Sequence, residues 1–310
     1  TTSTTHFNSG NVISNNNIFD FYNSTSTSNG GTGLNVSSGN TDWSVTGNSF
    51  YQTATRTTYG AAAVVSAINI SNTAGSNFTV TGNYVGGTAP LCAGTAYTIN
   101  ATTTVVFRGI LISVGVTPVS NVTSNTVRNL SITTTSASTA QSAFSVQNGG
   151  LNVDGNTIGS QSATGDIVFS TSGTGAIFSA FLVGNGTTGQ GVINITNNNV
   201  GGISVTGAGT ISLRGISFQS SGIVASTQYT VSGNTIGGTV ANSIQNSTNA
   251  SILGIAGFSS QTTSTNSVAN NVVRNMTTTG TSTSNTVIGI LSQGSTGGIY
   301  STTGNTVSNL

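Results

Sequence analysis

The feature that most constrains this chain is a short phrase, an asparagine, any residue, then an apolar residue, that returns nine times. Its asparagines are Asn16, Asn48, Asn83, Asn125, Asn156, Asn198, Asn234, Asn271 and Asn305, spaced by 32, 35, 42, 31, 42, 36, 37 and 34 residues. Its apolar members are Ile18, Phe50, Val85, Val127, Ile158, Val200, Ile236, Val273 and Val307. The flanks repeat too. An apolar residue stands upstream, as in Val80-Thr81-Gly82-Asn83 and Val231-Ser232-Gly233-Asn234. Downstream comes a Gly-Gly pair (Gly86-Gly87, Gly201-Gly202) or a polar–Asn–apolar step (Arg128-Asn129-Leu130, Arg274-Asn275-Met276). A second phrase falls between the first: Arg108-Gly109-Ile110, Arg214-Gly215-Ile216, Leu253-Gly254-Ile255 and Ile288-Gly289-Ile290.

A repeat of about 36 residues is the signature of a stacked architecture. Apolar and small polar residues alternate near both phrases, the period of a half-buried strand. A helical reading fails because Glu and Lys, which fill exposed helix positions, are absent from the chain. Each unit thus reads as a strand around the asparagine, a Ser/Thr-rich loop, a strand around Gly-Ile and a second loop. One such unit cannot bury its own apolar face, but a stack can. The expectation is a single continuous all-β domain over residues 1–310, a right-handed parallel β-helix (β-solenoid) of about nine coils. Each strand pairs in parallel with its counterpart one coil on, about 4.8 Å away, and parallel crossovers are right-handed. The uneven spacings place length differences in loops, mostly outside.

The repeated asparagine has a mechanical explanation. Amides stacked one coil apart can donate and accept along the column, forming a ladder, and asparagine tolerates the left-handed backbone of a sharp corner. The apolar residue two positions on is expected to point into a shared interior column, each member worth roughly 1.5–3 kcal/mol before entropy is subtracted.

Composition narrows function by exclusion. Only 3% of residues are charged: five arginines, four aspartates, no lysine and no glutamate, for a net charge of +1. That gives no electrostatic footprint for nucleic acid or an anionic membrane. No apolar run approaches the roughly 18 residues of a membrane span. The sole cysteine, Cys92, cannot form an internal disulfide. Yet 35% of residues are hydrophobic, unlike the low-hydrophobicity, high-charge composition of disordered chains.

With Gly304-Asn305-Thr306-Val307-Ser308-Asn309-Leu310, Gly298-Ile299-Tyr300 and Val127-Arg128-Asn129-Leu130 before a Ser/Thr run, the chain resembles the long β-strand-repeat surface proteins of Bacteroidota, many of which carry a type IX secretion sorting domain. The likeness runs end to end. It implies an exported, cell-surface or extracellular protein of filament or adhesin type, and it carries no catalytic residues across.

The terminal coils look like ordinary coils, and uncapped strand edges pair with further strands. The chain therefore reads as a fragment of a longer solenoid or one unit of a head-to-tail polymer, its partner being itself. Surface glycans are a further expected partner. The remaining candidates read as structural. Asp20, Asp42, Asp154 and Asp166 are off register with one another, unlike the paired carboxylates of a glycosidase, and are expected in isolated turns. Arg108 and Arg214, before Gly-Ile, and Arg128 and Arg274, three residues after their Asn, are expected on outward strand faces, solvated or bonded to loop carbonyls. His6 has no metal partners in sequence, and Cys92 reads as a small buried hydrophobe. The threonine runs at Thr102–Thr104, Thr133–Thr135 and Thr277–Thr279 are expected in loops. The leading reading is a structural, non-enzymatic filament or adhesin stalk with no cofactor and no metal. The alternatives are a glycan- or ice-binding module using a Thr-rich or aromatic face, and then a polysaccharide-degrading β-helix enzyme.

Overall fold

The computed structural model describes residues 6–184, 190–220, 228–259, 264–294 and 299–310. It is a parallel β-solenoid, 57% strand and 1% helical, against about 20–25% strand in an average soluble domain. The helical part is one 3-10 turn, Pro90–Cys92. Nine asparagine rungs bound about eight turns, because each turn is the interval between two rungs. Paired strands are parallel and one coil apart throughout.

A complete coil has four sides rather than the two strands expected. In the coil that holds Asn125, sheet 1 contains Ser120–Thr123, sheet 2 contains Thr126–Val127 and sheet 3 contains Leu130–Thr134. Sheet 4 contains the first half of Gln141–Asp154, and the second half of that strand runs on into sheet 1 of the next coil. This merger removes a loop, which is why the interval from Asn125 to Asn156 is the shortest. The longer coil after Asn83 inserts the Pro90–Cys92 turn between sheets 2 and 3. Length varies at those corners, whereas the stretch from sheet 1 through the asparagine into sheet 2 keeps the same count in every coil.

The strand expected around each asparagine is broken by a left-handed residue, and that residue is not the ladder asparagine. It is the one before it: Asn15, Gly47, Gly82, Ser124, Gly155, Asn197, Gly233, Asn270 and Gly304, with φ between 54° and 67°. Only glycine and short polar side chains visit this region cheaply. The left-handed role expected of asparagine is filled at the next corner instead, by Asn129, Asn275 and Asn309 at φ 55°, 53° and 51°.

The interior is a set of apolar columns one residue wide, largely aliphatic on sheet 1 and joined by buried aromatics such as Phe144 and Phe181 elsewhere. Sheet 1 contributes Val45, Val80, Val122, Val153, Ile195, Val231 and Val268, paired rung to rung and buried. Sheet 2 contributes Phe50, Val85, Val127, Ile158, Val200, Ile236 and Val273, all fully buried and paired in that order. Its end members differ. Ile18 is half-buried, and Val307 is 44% exposed because no rung covers it among the described residues.

The Gly-Ile phrase sets the distance between sheets 4 and 2. A Cβ placed on Gly215 would lie 2.6 Å from Cγ2 of Ile236, and one on Gly254 would lie 2.5 Å from Cγ1 of Val273. The glycine thus faces the apolar residue of the asparagine phrase across a thin interior, and the following Ile216 and Ile255 are fully buried in sheet 4.

Candidate functional site

The nine asparagines stand in one column at the corner between sheets 1 and 2. At every step the backbone N–H and one side-chain N–H of an asparagine donate to Oδ1 of the asparagine one coil on. For Asn83 these bonds to Asn125 are 3.0 and 2.9 Å, and for Asn156 to Asn198 both are 2.9 Å. The same pair joins Asn16 to Asn48 and Asn271 to Asn305. The second side-chain hydrogen points back to sheet 1 of the preceding coil, as from Asn125 to the Val80 carbonyl at 2.9 Å and from Asn234 to Ile195 at 2.8 Å. The asparagine carbonyl accepts from the first residue of sheet 2 in the next coil, as from Thr126 to Asn83 at 2.8 Å.

Every polar atom of an interior ladder residue is therefore satisfied, although Asn48, Asn83, Asn125, Asn156, Asn198, Asn234 and Asn271 are wholly buried. That closure is the condition under which a buried amide stabilises instead of penalising the fold. Asp in place of Asn would lack the two donors, and Gln would carry the amide one methylene too far. The ladder is also directional. In each amide-to-amide step the backbone N–H and side-chain N–H point toward the C-terminal end of the stack, and the accepting Oδ1 points toward the N-terminal end. Asn16 is exposed and Asn305 half-exposed, and they present the two halves that meet at each interior step.

Outside the ladder, polar groups mostly bond along the stack. Asn152 donates to Asn121 and Asn194 donates to Asn152, both at 2.9 Å, making a second row of amides on the outer face of sheet 1. The neighbouring row there includes the Thr81–Thr123 hydroxyl pair at 2.8 Å and the Thr196 hydroxyl donating to Asp154 at 2.5 Å. These two rows were not singled out from the sequence. Their signal is the polar residues two apart that precede each asparagine phrase.

The carboxylates do not meet each other in these bonds. Asp166 pairs with Arg128 at 2.9 Å, Asp42 accepts from Asn77 at 2.6 Å, and Asp154 is held by Thr196 and Asn197. Asp20 pairs with Arg56 at 2.5 Å and accepts from the Thr53 N–H and hydroxyl. Burial pushes the Asp20 carboxyl up, but the Thr53 bonds and the Arg56 charge outweigh it and hold the group below its usual value. Among the described residues no three of His, Cys, Asp and Glu come together, and His6 is exposed at their N-terminal edge.

The arginines meet the expectation only in part. Arg214 on sheet 4 bonds the Ser217 hydroxyl at 3.2 Å and lies 4.7 Å from the centre of the Phe258 ring, not on a loop carbonyl. Arg108, also on sheet 4, is half-buried. Desolvation lowers the pKa of both, and Nε of each is buried without a partner. Arg274 alone of the phrase arginines bonds a loop carbonyl, that of Gly237 at 3.3 Å. Cys92 is buried and free, and burial pushes its thiol up to about 12, so it stays protonated and packs as a hydrophobe.

The threonine runs divide. Thr102–Thr104 lie in a loop, but Thr133 and Thr134 belong to strand Leu130–Thr134, and Thr277 and Thr278 to Met276–Thr278. The left-handed Asn129 and Asn275 start sheet 3 immediately, so the threonines after them are drawn into it. The outer row there reads Thr98, Ser131, Val168, Ser204, Gln245 and Thr277, which is not a uniform threonine array.

The class defined by this geometry is a parallel β-solenoid with a buried, directional asparagine ladder. No family model, curated protein or solved structure matches the chain.

Proposed function

We propose that the chain is a structural, non-enzymatic β-solenoid, the stiff rod of an extracellular filament or adhesin stalk exported to a bacterial surface of the Bacteroidota type. One observation carries this reading: a hydrogen-bonded amide column that is closed at every interior rung and runs beside continuous parallel strands and a continuous buried interior. A further rung of the same kind, from the same chain or from a second copy, would extend ladder, strands and interior together. Such a heterologous, non-closing contact makes a fibre. The absence of lysine and the low charge suit exposure to proteases and to varied ionic strength. Electron microscopy and fibre diffraction of the native assembly test it. The expected result is a fibre with an axial repeat of about 4.8 Å, and discrete globular particles would overturn it.

A second reading, a binding module for a flat neutral lattice such as ice or a crystalline glycan, is favoured by the outer face of sheet 1. Two adjacent rows run through it in unbroken register, Thr79, Asn121, Asn152, Asn194, Thr230 beside Thr81, Thr123, Asp154, Thr196, Ser232. All are half-exposed and several are locked by mutual hydrogen bonds. Sedimentation with crystalline chitin or cellulose and ice-recrystallisation assays test it, and retention in neither would remove it.

A further inference from the structure

On the outer face of sheet 4, near the N-terminal end of the stack, lies a cavity of about 270 Å³ lined by side chains that include Asn29, Thr32, Asn35, Ser66, Asn69 and Leu111. It has room for roughly nine waters at about 30 Å³ each, the scale of one sugar ring. No ionisable side chain lines it. The walls are amides and hydroxyls, with Val64 and Leu111 supplying apolar surface.

The rung order explains why this spot is unfinished. Asn35, Asn69 and Leu111 occupy matching positions in three successive coils. Asn69 donates its Nδ2 to Oδ1 of Asn35 at 3.0 Å, as in the other outer amide row. The next rung should then donate to Oδ1 of Asn69, but it carries a leucine, which has no donor. That oxygen is buried with no hydrogen-bond partner, a state that penalises the fold until something pairs it. Asn35, exposed, keeps its own amide hydrogens for solvent or a ligand. The other outer row ends differently, because Asn194 is followed by Thr230, whose hydroxyl can donate.

We propose that this groove is a subsite for a neutral saccharide. Turning the Leu111 side chain aside uncovers Asn69 Oδ1, and a ring hydroxyl entering there supplies its missing donor. A neighbouring hydroxyl accepts from Asn35, and the apolar face of the ring lies against Leu111. Hydroxyls that both donate and accept match this mixed wall, and the absence of charge selects against acidic sugars. The assignment stands whether or not rungs join end to end, so its failure and the failure of the rod are separate results.

The test is an amide-resolved NMR titration of the intact chain with methyl glycosides of glucose, galactose, mannose and N-acetylglucosamine, and with the methyl glycoside of galacturonic acid, its carboxylate free, as the acidic probe. At least one neutral glycoside is expected to bind at about 1 mM, with shifts confined to residues 28–35, 64–69 and 108–111. Asn69→Leu, which repeats the residue already present on the next rung, is expected to weaken binding at least about tenfold. Asn35→Ala, at an exposed position, is expected to weaken it without altering the fold. Absence of localised shifts with all neutral probes, equal binding by Asn69→Leu, or preference for the galacturonate overturns the proposal.

Discussion

Two rows of asparagines run along this molecule with the same one-coil spacing and different consequences. The inner row, from Asn48 to Asn271, is wholly buried and unbroken. The outer row, Asn121 to Asn194, is half-exposed and gives way to threonine and serine on either side. Stacked amides form in both places, so stacking alone does not explain why one row runs the length of the chain and the other does not. Burial does. In the interior a missing amide strands its neighbours' donors away from water, whereas outside water replaces the lost partner.

The sharpest way to break that comparison is Asn156→Leu beside Asn152→Leu. The first strands the backbone N–H and Nδ2 of Asn125, both bonded to Asn156 Oδ1 at 2.9 and 3.0 Å. Two buried donors left unpaired predict a loss of about 2–6 kcal/mol by chemical denaturation, enough to disrupt the middle of the stack. Asn152→Leu takes one donor from the half-exposed Asn121, as Leu111 already does from Asn69, and is expected to cost about 1 kcal/mol. Comparable losses for both would end the distinction.

Smaller effects are expected from the residues that aim the inner row. Gly215→Ala drives a methyl into Ile236 and the Gly254 carbonyl, and overpacking of this kind costs about 1–3 kcal/mol. Gly82→Ala imposes a β-carbon at φ 65°, where nothing lies within 4 Å of it, so only backbone strain remains, about 1–2 kcal/mol. Gly82→Asn should lose much less, since Asn15, Asn197 and Asn270 already hold the equivalent corner. A thermal melt comparing the two separates strain from packing.

The smallest effect belongs to the exposed charges. The Asp20 pKa is depressed in the folded chain. The stability it adds is therefore present above the unfolded value of about 3.9 and lost as pH falls through the lower folded value. For this partly solvated pair the effect is less than about 1 kcal/mol. Asp20→Asn is expected to remove that acid-side dependence while leaving the inner ladder intact, as read from denaturation midpoints on either side of the window.

The repeat made much of this legible in advance. Nine equivalent asparagines and their apolar partners name the rungs and the sheet 2 column, because stacking forces identical positions together. The corner residues were also visible, as Gly, Asn or Ser before every ladder asparagine, but the left-handed turn was expected one position late. Periodicity marks a corner, and the hydrogen-bond requirement of the buried amide decides which residue must bend. The threonines after Asn129 and Asn275 were expected in loops because they follow the strand phrases, yet the preceding turn feeds them into sheet 3.

By itself the sequence determined the period, the all-β character, the poverty of charge and the identity of the stacked rows, since these follow from local pattern and composition. The four-sided cross-section, the glycines that thin the interior opposite Ile236 and Val273, and the contrast between inner and outer amides were decided only by the tertiary structure. Each depends on which residues of different sides and different coils come face to face, and on whether water reaches them, and neither is encoded in the spacing along the chain.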